Sequence, residues 1–207
     1  MTYLHRSLLV ALTCAVAAVP RAAAQVSLAR GVVVIDAGHG GDEAGVEGVD
    51  GRHEKRFVLR AALLLAEALV EQGYDVRLTR TRDYSVSWPD RMTMFAADSP
   101  VALISLHING DEDPNKTGGE LYYHADDSTA ARLANDLTEV FQGLPIAFVP
   151  PEAVTYDVFK QSAAPVAMIE MGYLTNANEA PIVTSDEYYN ALAAQIVRGL
   201  DRFLQHN

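Results

Sequence analysis

The chain has 207 residues, of which 49% are hydrophobic, enough for one domain with a full core and too many for a disordered chain. Its formal net charge is −11, from 16 basic and 27 acidic residues. Because nucleic acids and anionic membrane surfaces attract basic faces, this charge predicts that neither is a partner.

The first 24 residues have the order of a secretory signal peptide. Arg6 precedes an apolar stretch over 7–19, and three small residues close the segment. We predict cleavage after Ala24 and an exported protein, periplasmic or extracellular, whose mature domain spans 25–207. The alternatives are an uncut membrane anchor and a lipoprotein formed through Cys14. No later segment is long and apolar enough to span a bilayer. Cleavage would also remove Cys14, the only cysteine, and with it all thiol chemistry.

Strands and helices alternate along the rest of the chain. Short apolar runs between turn residues predict buried strands, and apolar residues at three- and four-residue spacing predict amphipathic helices. The order predicts an α/β fold, a single domain with a twisted, mostly parallel sheet flanked by helices on both faces. The first predicted strand begins at Val32, and the other predicted strands cover 74–80, 101–107, 120–124 and 166–171. The predicted helices cover 54–72, a short stretch from Pro89, 128–141 with Ser128 as its N-cap, and 186–204. The segment 143–165 carries no clear pattern.

The segment Val32–Gly41, VVVIDAGHGG, joins a buried strand to a loop of glycines that presents one side chain, His39. Glycines leave open space around the imidazole, and the carboxyl end of a central strand is where open α/β sheets bind ligands. The loop is not a phosphate cradle, because it lacks the Lys-Ser/Thr of a P-loop. It also has Glu43 where the dinucleotide fingerprint has its third glycine.

Three apolar strands end, or nearly end, in a residue able to bind metal or move protons: His39, His107 and Glu170. Parallel strands bring their carboxyl ends to one edge, so these side chains are expected to converge. Glu54, at the start of the first helix, is a fourth candidate, with His53 as its competitor. Two imidazoles and one carboxylate are the usual ligands of a hydrolytic zinc site, although they also suit Fe(II). Glu170 stands out because a carboxylate in an apolar strand is costly to bury without a partner or a nearby metal.

The other polar features of the chain predict surface positions. His124 follows a strand that we interpret as an outer one, and His206 lies in the carboxyl-terminal tail, so both are expected to be solvated. The run TRTRD at 79–83 predicts a polar turn.

Taken together, the motifs resemble those of the zinc-dependent N-acetylmuramoyl-L-alanine amidases, which release stem peptides from the glycan of peptidoglycan. The resemblance extends from about Gly31 to Leu204, and it is specific because seven motifs occur in order. They are VVVIDAGHGG, HEKRFVLRAALLLAEAL, VRLTRTRD, the single Arg91, LISLHIN, GGELYY and PVAMIEMGYLTN.

The resemblance implies that His39, Glu54 and His107 are the ligands of a zinc ion and that Glu170 is the catalytic carboxylate. It favours Glu54 over His53, because the family has a glutamate before a basic residue at the head of this helix. It also implies peptidoglycan as the substrate and the amide between the lactyl group and L-alanine as the bond that is cut. Asp36, before the glycine loop, is expected to orient that loop.

Two further expectations concern regulation and rival functions. Some periplasmic family members carry a helical insertion that covers the zinc until a partner displaces it, and 143–165 is too short for such an insertion. The sequence therefore does not itself imply an activator protein. The rival functions are another envelope zinc peptidase or carboxypeptidase acting within the stem, and a peptidoglycan-binding module without activity. Met171 and Tyr173 replace smaller aliphatic and phenylalanine residues of the family, which are conservative changes.

Overall fold

The computed structural model describes residues 30–96 and 99–205, so the predicted signal peptide and His206 lie outside the described residues. The strands of the described part are β1 (Val32–Ala37), β2 (Asp75–Leu78), β3 (Ala102–Asn109), β4 (Glu120–His124), β5 (Glu152–Val154) and β6 (Val166–Tyr173). Its α-helices are α1 (Glu54–Glu71), α2 (Trp88–Ala96), α3 (Ser128–Val140), α4 (Asp157–Lys160), α5 (Ala180–Val183) and α6 (Asp186–Gln205). No helix in these two ranges is long and apolar enough to cross a membrane.

The six strands form one sheet in the order β2-β1-β3-β6-β4-β5. All neighbouring pairs are parallel except β4 with β6, which is antiparallel. The predicted α/β fold with a mostly parallel sheet is therefore confirmed. The topology places β1, β3 and β6 side by side, so the carboxyl ends of these three strands share one edge.

Helices cover both faces of the sheet, as predicted. Alternate residues of a strand point to opposite faces, so the central strands contribute to two separate cores. On one face, Val34, Leu103 and Val166 pack with Phe95 of α2 and with Phe159 of α4. On the other face, the intervening strand residues pack against α1, α3 and α6 in the larger core. Burial on both faces explains why these strands are continuous apolar runs in the sequence.

The start of α3 differs from the prediction by one residue. Asp127 is the N-cap, and its carboxylate accepts hydrogen bonds from the backbone N–H groups of Thr129 and Ala130, both at 2.9 Å. Ser128 is instead the first helical residue. Aspartate and serine are comparably good caps, so local preference alone does not distinguish these adjacent positions.

The prediction that His124 is solvated is wrong, because this residue is only 4% exposed. The segment without a clear pattern supplies β5, which pairs in parallel with β4 and sets Val154 opposite His124. The strand is therefore covered on its outer side. His124 Nδ1 accepts a hydrogen bond of 3.1 Å from the backbone N–H of Asp126, which makes it a residue of the β4–α3 turn.

Candidate metal centre

The candidate ligands come from three elements that meet at the carboxyl edge of the sheet. His39 follows β1, His107 lies near the end of β3, and Glu54 is the first residue of α1. The loop after His39 brings the helix back to this edge, where the Glu54 N–H donates to the carbonyl of Val46 at 2.8 Å. The structure thus brings together the two histidines and Glu54. His53 is the residue before the helix and is not part of the cluster.

The carboxylate of Glu54 is the centre of the cluster and is only 2% exposed. Its Oε1 lies 3.0 Å from His107 Nδ1 and accepts a hydrogen bond of 2.9 Å from the Ile108 N–H. Its Oε2 lies 3.0 Å from His39 Nε2 and accepts a hydrogen bond of 3.0 Å from the Val46 N–H. Two backbone donors therefore fix the orientation of the carboxylate towards both imidazoles.

The donor atoms of His39, Glu54 and His107 all lie within 4.8 Å of one another. Two ligand atoms that are each about 2.0–2.1 Å from one tetrahedral zinc ion are separated by roughly 3.3 Å. The spacing in the cluster and its two-nitrogen, one-carboxylate composition both fit a divalent metal. This group could therefore hold a metal ion.

Two glycines are required where the chain passes close to these ligands. A Cβ on Gly38 would lie 2.3 Å from Cε1 of the His107 ring. A Cβ on Gly45, whose φ is +70°, would lie 2.5 Å from Glu54 Oε2 and 2.7 Å from His39 Cδ2. The glycine-rich loop thus leaves space for the ligand side chains themselves, which is the role expected from its composition.

The charges in the cluster are strongly coupled. Burial opposes ionisation of Glu54, but the hydrogen bonds from His107 and His39 outweigh it and hold the pKa of the carboxyl well below its usual range. Burial would lower the pKa of His107, yet its hydrogen bond with Glu54 and the charge of Glu170 raise it. The negative charge of Glu54, which favours a proton on His107, offers the same attraction to a metal cation, whose binding displaces that proton.

Glu170 lies on β6 directly opposite His107 of β3. Its Oε2 is buried and has no hydrogen-bond partner among the described residues. Burial raises the pKa of Glu170 to about 7, with the negative charges of Glu54 and Glu120 acting in the same direction and His107 opposing them. A carboxyl group with this pKa, beside a cluster of metal-ligand type, is suited to exchange protons near neutral pH.

Arg91 and Asp36 form a buried ion pair beneath the loop that carries His39. Arg91 also donates to the carbonyl oxygens of Ala37 at 3.1 Å and His39 at 2.7 Å. Asp36 accepts from the hydroxyl of Ser105 on β3 at 2.9 Å, two residues before His107. His39 itself has a φ of +58°, in the left-handed region that non-glycine residues rarely occupy. The ion pair therefore holds a strained backbone in place, which agrees with the orienting role expected for Asp36.

Residues 81–83 of the predicted polar turn are exposed, but Arg80 at its start is fully buried. Its guanidinium donates to the carbonyl oxygens of Ala37 at 3.0 Å, Gly38 at 2.7 Å and Lys55 at 2.7 Å. One side chain thus joins the loop before His39 to the helical turn that carries Glu54. Sequence reasoning missed this role, because the carbonyl groups that accept from Arg80 lie far from it along the chain.

We expect Gly45→Ala to weaken metal binding by at least about 10-fold, because the new methyl group displaces Glu54 and His39 while their supporting contacts remain. The matched control is Gly51→Ala. Gly51 has a similar φ of +76°, but a Cβ there would meet nothing within 4 Å. Both variants bear the backbone cost of about 1 kcal/mol for a left-handed alanine. Zinc titration of both proteins separates the two effects, and equal zinc affinities would contradict the assigned close approach.

The fold and the site define a class of protein: an α/β enzyme with two histidines at the carboxyl edge of its sheet and a glutamate at the start of a helix around one space, beside a buried carboxylate on the sheet. Family comparison identifies the group within this class. Residues 33–202 match the family model described as N-acetylmuramoyl-L-alanine amidase (Amidase_3), and the chain belongs to this family.

Individual proteins agree with this assignment. The chain is 29% identical over 170 residues to the probable cell wall amidase LytH of Staphylococcus aureus, a match that covers 81% of this chain and 56% of LytH. The amidase AmiC2 of Nostoc punctiforme has a similar structure, with a TM-score of 0.78, 30% identity and coverage of 84% of this chain and 97% of AmiC2. The structure of an N-acetylmuramoyl-L-alanine amidase from Clostridium difficile 630 is also similar, with a TM-score of 0.80 and 30% identity. This match covers 86% of this chain and 98% of that protein.

Proposed function

We propose that the chain hydrolyses the amide bond between the lactyl group of N-acetylmuramic acid and the first L-alanine of a peptidoglycan stem. The observation that carries this proposal is the cluster of His39, Glu54 and His107 beside Glu170, in a chain that belongs to the amidase family. The match with LytH covers 170 residues and leaves 44% of LytH outside it. The proposal therefore concerns the catalytic domain.

In this proposal, His39 Nε2, His107 Nδ1 and one carboxylate oxygen of Glu54 are the ligands of a zinc ion. When bound, zinc supplies Lewis-acid activation of water and of the scissile carbonyl. The set fits zinc because three protein ligands leave a coordination position open, as in hydrolytic zinc sites. The unpartnered Oε2 of Glu170 also supports a nearby cation, because the charge of a cation would offset the cost of burying this atom.

Glu170 is the proton carrier of the proposed reaction. Its carboxylate takes a proton from the attacking water and returns it to the leaving amine of L-alanine, which avoids expelling an unprotonated amide nitrogen. The raised pKa of about 7 supports both steps, since a group that titrates near neutrality can hold and release a proton. Arg91 and Arg80 hold the loop that carries His39 and the start of α1 in fixed relative positions during the reaction.

Digestion of purified sacculi, followed by mass spectrometry of the products, tests the bond that is cut. The proposal predicts stem peptides with a free amino-terminal L-alanine and glycan strands whose lactyl groups are intact. Peptides cut within the stem would instead indicate an envelope zinc peptidase or carboxypeptidase. If sacculi were bound and no product was released, the chain would be a binding module.

Two regulatory expectations belong to the same proposal. The chain acts outside the cytoplasm after removal of residues 1–24, because its substrate lies in the cell envelope. It also acts without an activator protein, as the short segment 143–165 predicts. The digestion assay, run with purified protein of residues 25–207 alone, tests the second expectation, and the amino-terminal residue and location of the protein in expressing cells test the first.

A further inference from the structure

A cavity of about 420 Å³ lies on the face of the sheet that α2 and α4 cover, and His107 is part of its lining. It therefore adjoins the candidate metal centre. The rest of its wall is mostly apolar and comes from both helices and from β3 and β6. We call it the aromatic cavity, because four of its lining residues are aromatic: Trp88, Phe95, Tyr156 and Phe159. Its aliphatic lining residues are Leu103, Val166 and Met168.

Apart from the exposed Trp88 and Tyr156, the polar side chains that line the aromatic cavity have partners within the protein. Besides His107, Asp36 and Ser105 are in its lining, and they are hydrogen-bonded to each other at 2.9 Å. Asp36 also accepts from Thr79 and from Arg91. No lysine or arginine among the described residues lines the cavity. A charged group would therefore enter without a partner, which is strongly unfavourable, whereas an uncharged group with apolar surface would be accepted.

Two aromatic side chains of the cavity are open to solvent. Trp88 is 56% exposed and Tyr156 is 51% exposed, although both belong to the cavity lining. The Tyr156 ring stands against Phe159 with centroids 5.7 Å apart, which gives it a packed support. Exposed aromatic rings around an apolar cavity are typical of binding sites, because they offer large contact area at a small entropy cost.

The two sides of the bond that is cut differ in charge. On one side is an uncharged N-acetylated sugar with its lactyl group, and on the other is a peptide with at least one ionised carboxylate. We propose that the aromatic cavity binds the N-acetylmuramoyl sugar, with Trp88 and Tyr156 in contact with the ring and its acetyl group. This inference rests on the amidase function proposed above, and it assigns the sugar half of the substrate to the α2–α4 side of the metal centre.

Trp88 is the only tryptophan of the chain, so tryptophan fluorescence reports this cavity alone. We expect N-acetylmuramic acid with its lactyl carboxyl capped as an amide to change the emission of the zinc-loaded protein saturably. A stem tripeptide that begins with L-alanine is expected to leave the emission unchanged. The proposal would be overturned by a sugar probe that gives no saturable change, or by a peptide that gives the same change. Since no bond needs to be cut, this outcome is independent of catalysis.

Kinetics of Trp88→Ala provide the second test. For the wild type and the variant, kcat/KM is measured on a sugar-bearing muropeptide and on a lactyl-L-alanyl peptide without the sugar, and the first value is divided by the second. We expect Trp88→Ala to lower the ratio of these two values by about 10-fold, through a raised KM for the sugar-bearing substrate. Val70→Ala is the control, because Val70 is similarly exposed at the far end of α1. An unchanged ratio contradicts the cavity assignment, whereas a wild type that cleaves neither substrate contradicts the amidase function instead.

Discussion

Glu170→Gln is expected to bind one zinc ion per chain with near wild-type affinity and to release stem peptides at least about 100-fold more slowly. The amide keeps the size of the carboxyl group but does not accept a proton from water near neutral pH. The residue lies opposite His107 on the neighbouring strand, outside the group of three ligands, so its loss leaves the metal-binding atoms in place. Zinc content and the initial rate of peptide release from sacculi are the two measurements.

The control for Glu170→Gln is Glu71→Gln, which changes an exposed glutamate at the last residue of α1. This variant is expected to keep both zinc and activity. A Glu170→Gln protein that released peptides at nearly the wild-type rate would refute the role of Glu170 as the proton carrier. Loss of zinc together with activity would instead make Glu170 part of the metal site.

Arg80→Met is expected to lower the free energy of unfolding by about 3 kcal/mol and to weaken zinc binding by about 10- to 100-fold. The substitution keeps much of the side-chain volume, but it removes the buried guanidinium donor to the carbonyl oxygens of Gly38 and Lys55 and one of the two arginine donors to that of Ala37. Those carbonyls belong to the backbone that carries His39 and Glu54. Urea unfolding of the metal-free protein measures the first effect, and zinc titration measures the second.

The control for Arg80→Met is Arg60→Met. Arg60 lies in the amino-terminal half of α1, and its ion pair with Asp186 is exposed, so little stability depends on it. Arg80→Lys is a second comparison, because a lysine supplies charge without the planar fork that reaches three carbonyls. Zinc affinity that is unchanged in Arg80→Met would show that the guanidinium has no positioning role.

The central strands and three of the four candidate site residues could be found from local sequence patterns. Each of β1, β3 and β6 is buried on both faces, so each appears as an apolar run, and His39, His107 and Glu170 stand at or near the ends of these runs. Glu54 was different. Its acidic side chain at the head of a helix has an ordinary electrostatic explanation, and only the family resemblance favoured it over His53.

The features that the sequence did not reveal depend on partners far away in the chain. Arg80 is buried because carbonyl groups of the His39 loop, more than 40 residues earlier, accept its hydrogen bonds, and nothing in TRTRD indicates them. β4, which carries the buried His124, is not an outer strand because a three-residue strand, β5, pairs beside it. A strand that short, among prolines, has no periodicity to detect.

The measurement that tests the account most directly is peptide release from sacculi by metal-stripped protein titrated with zinc. The account predicts that a chelator abolishes the appearance of peptides with amino-terminal L-alanine. It also predicts that one equivalent of zinc per chain restores the rate, in the wild type and not in His39→Ala. Undiminished release by the metal-free protein, or restoration by Fe(II) and not by zinc, would contradict the proposed zinc site of His39, Glu54 and His107.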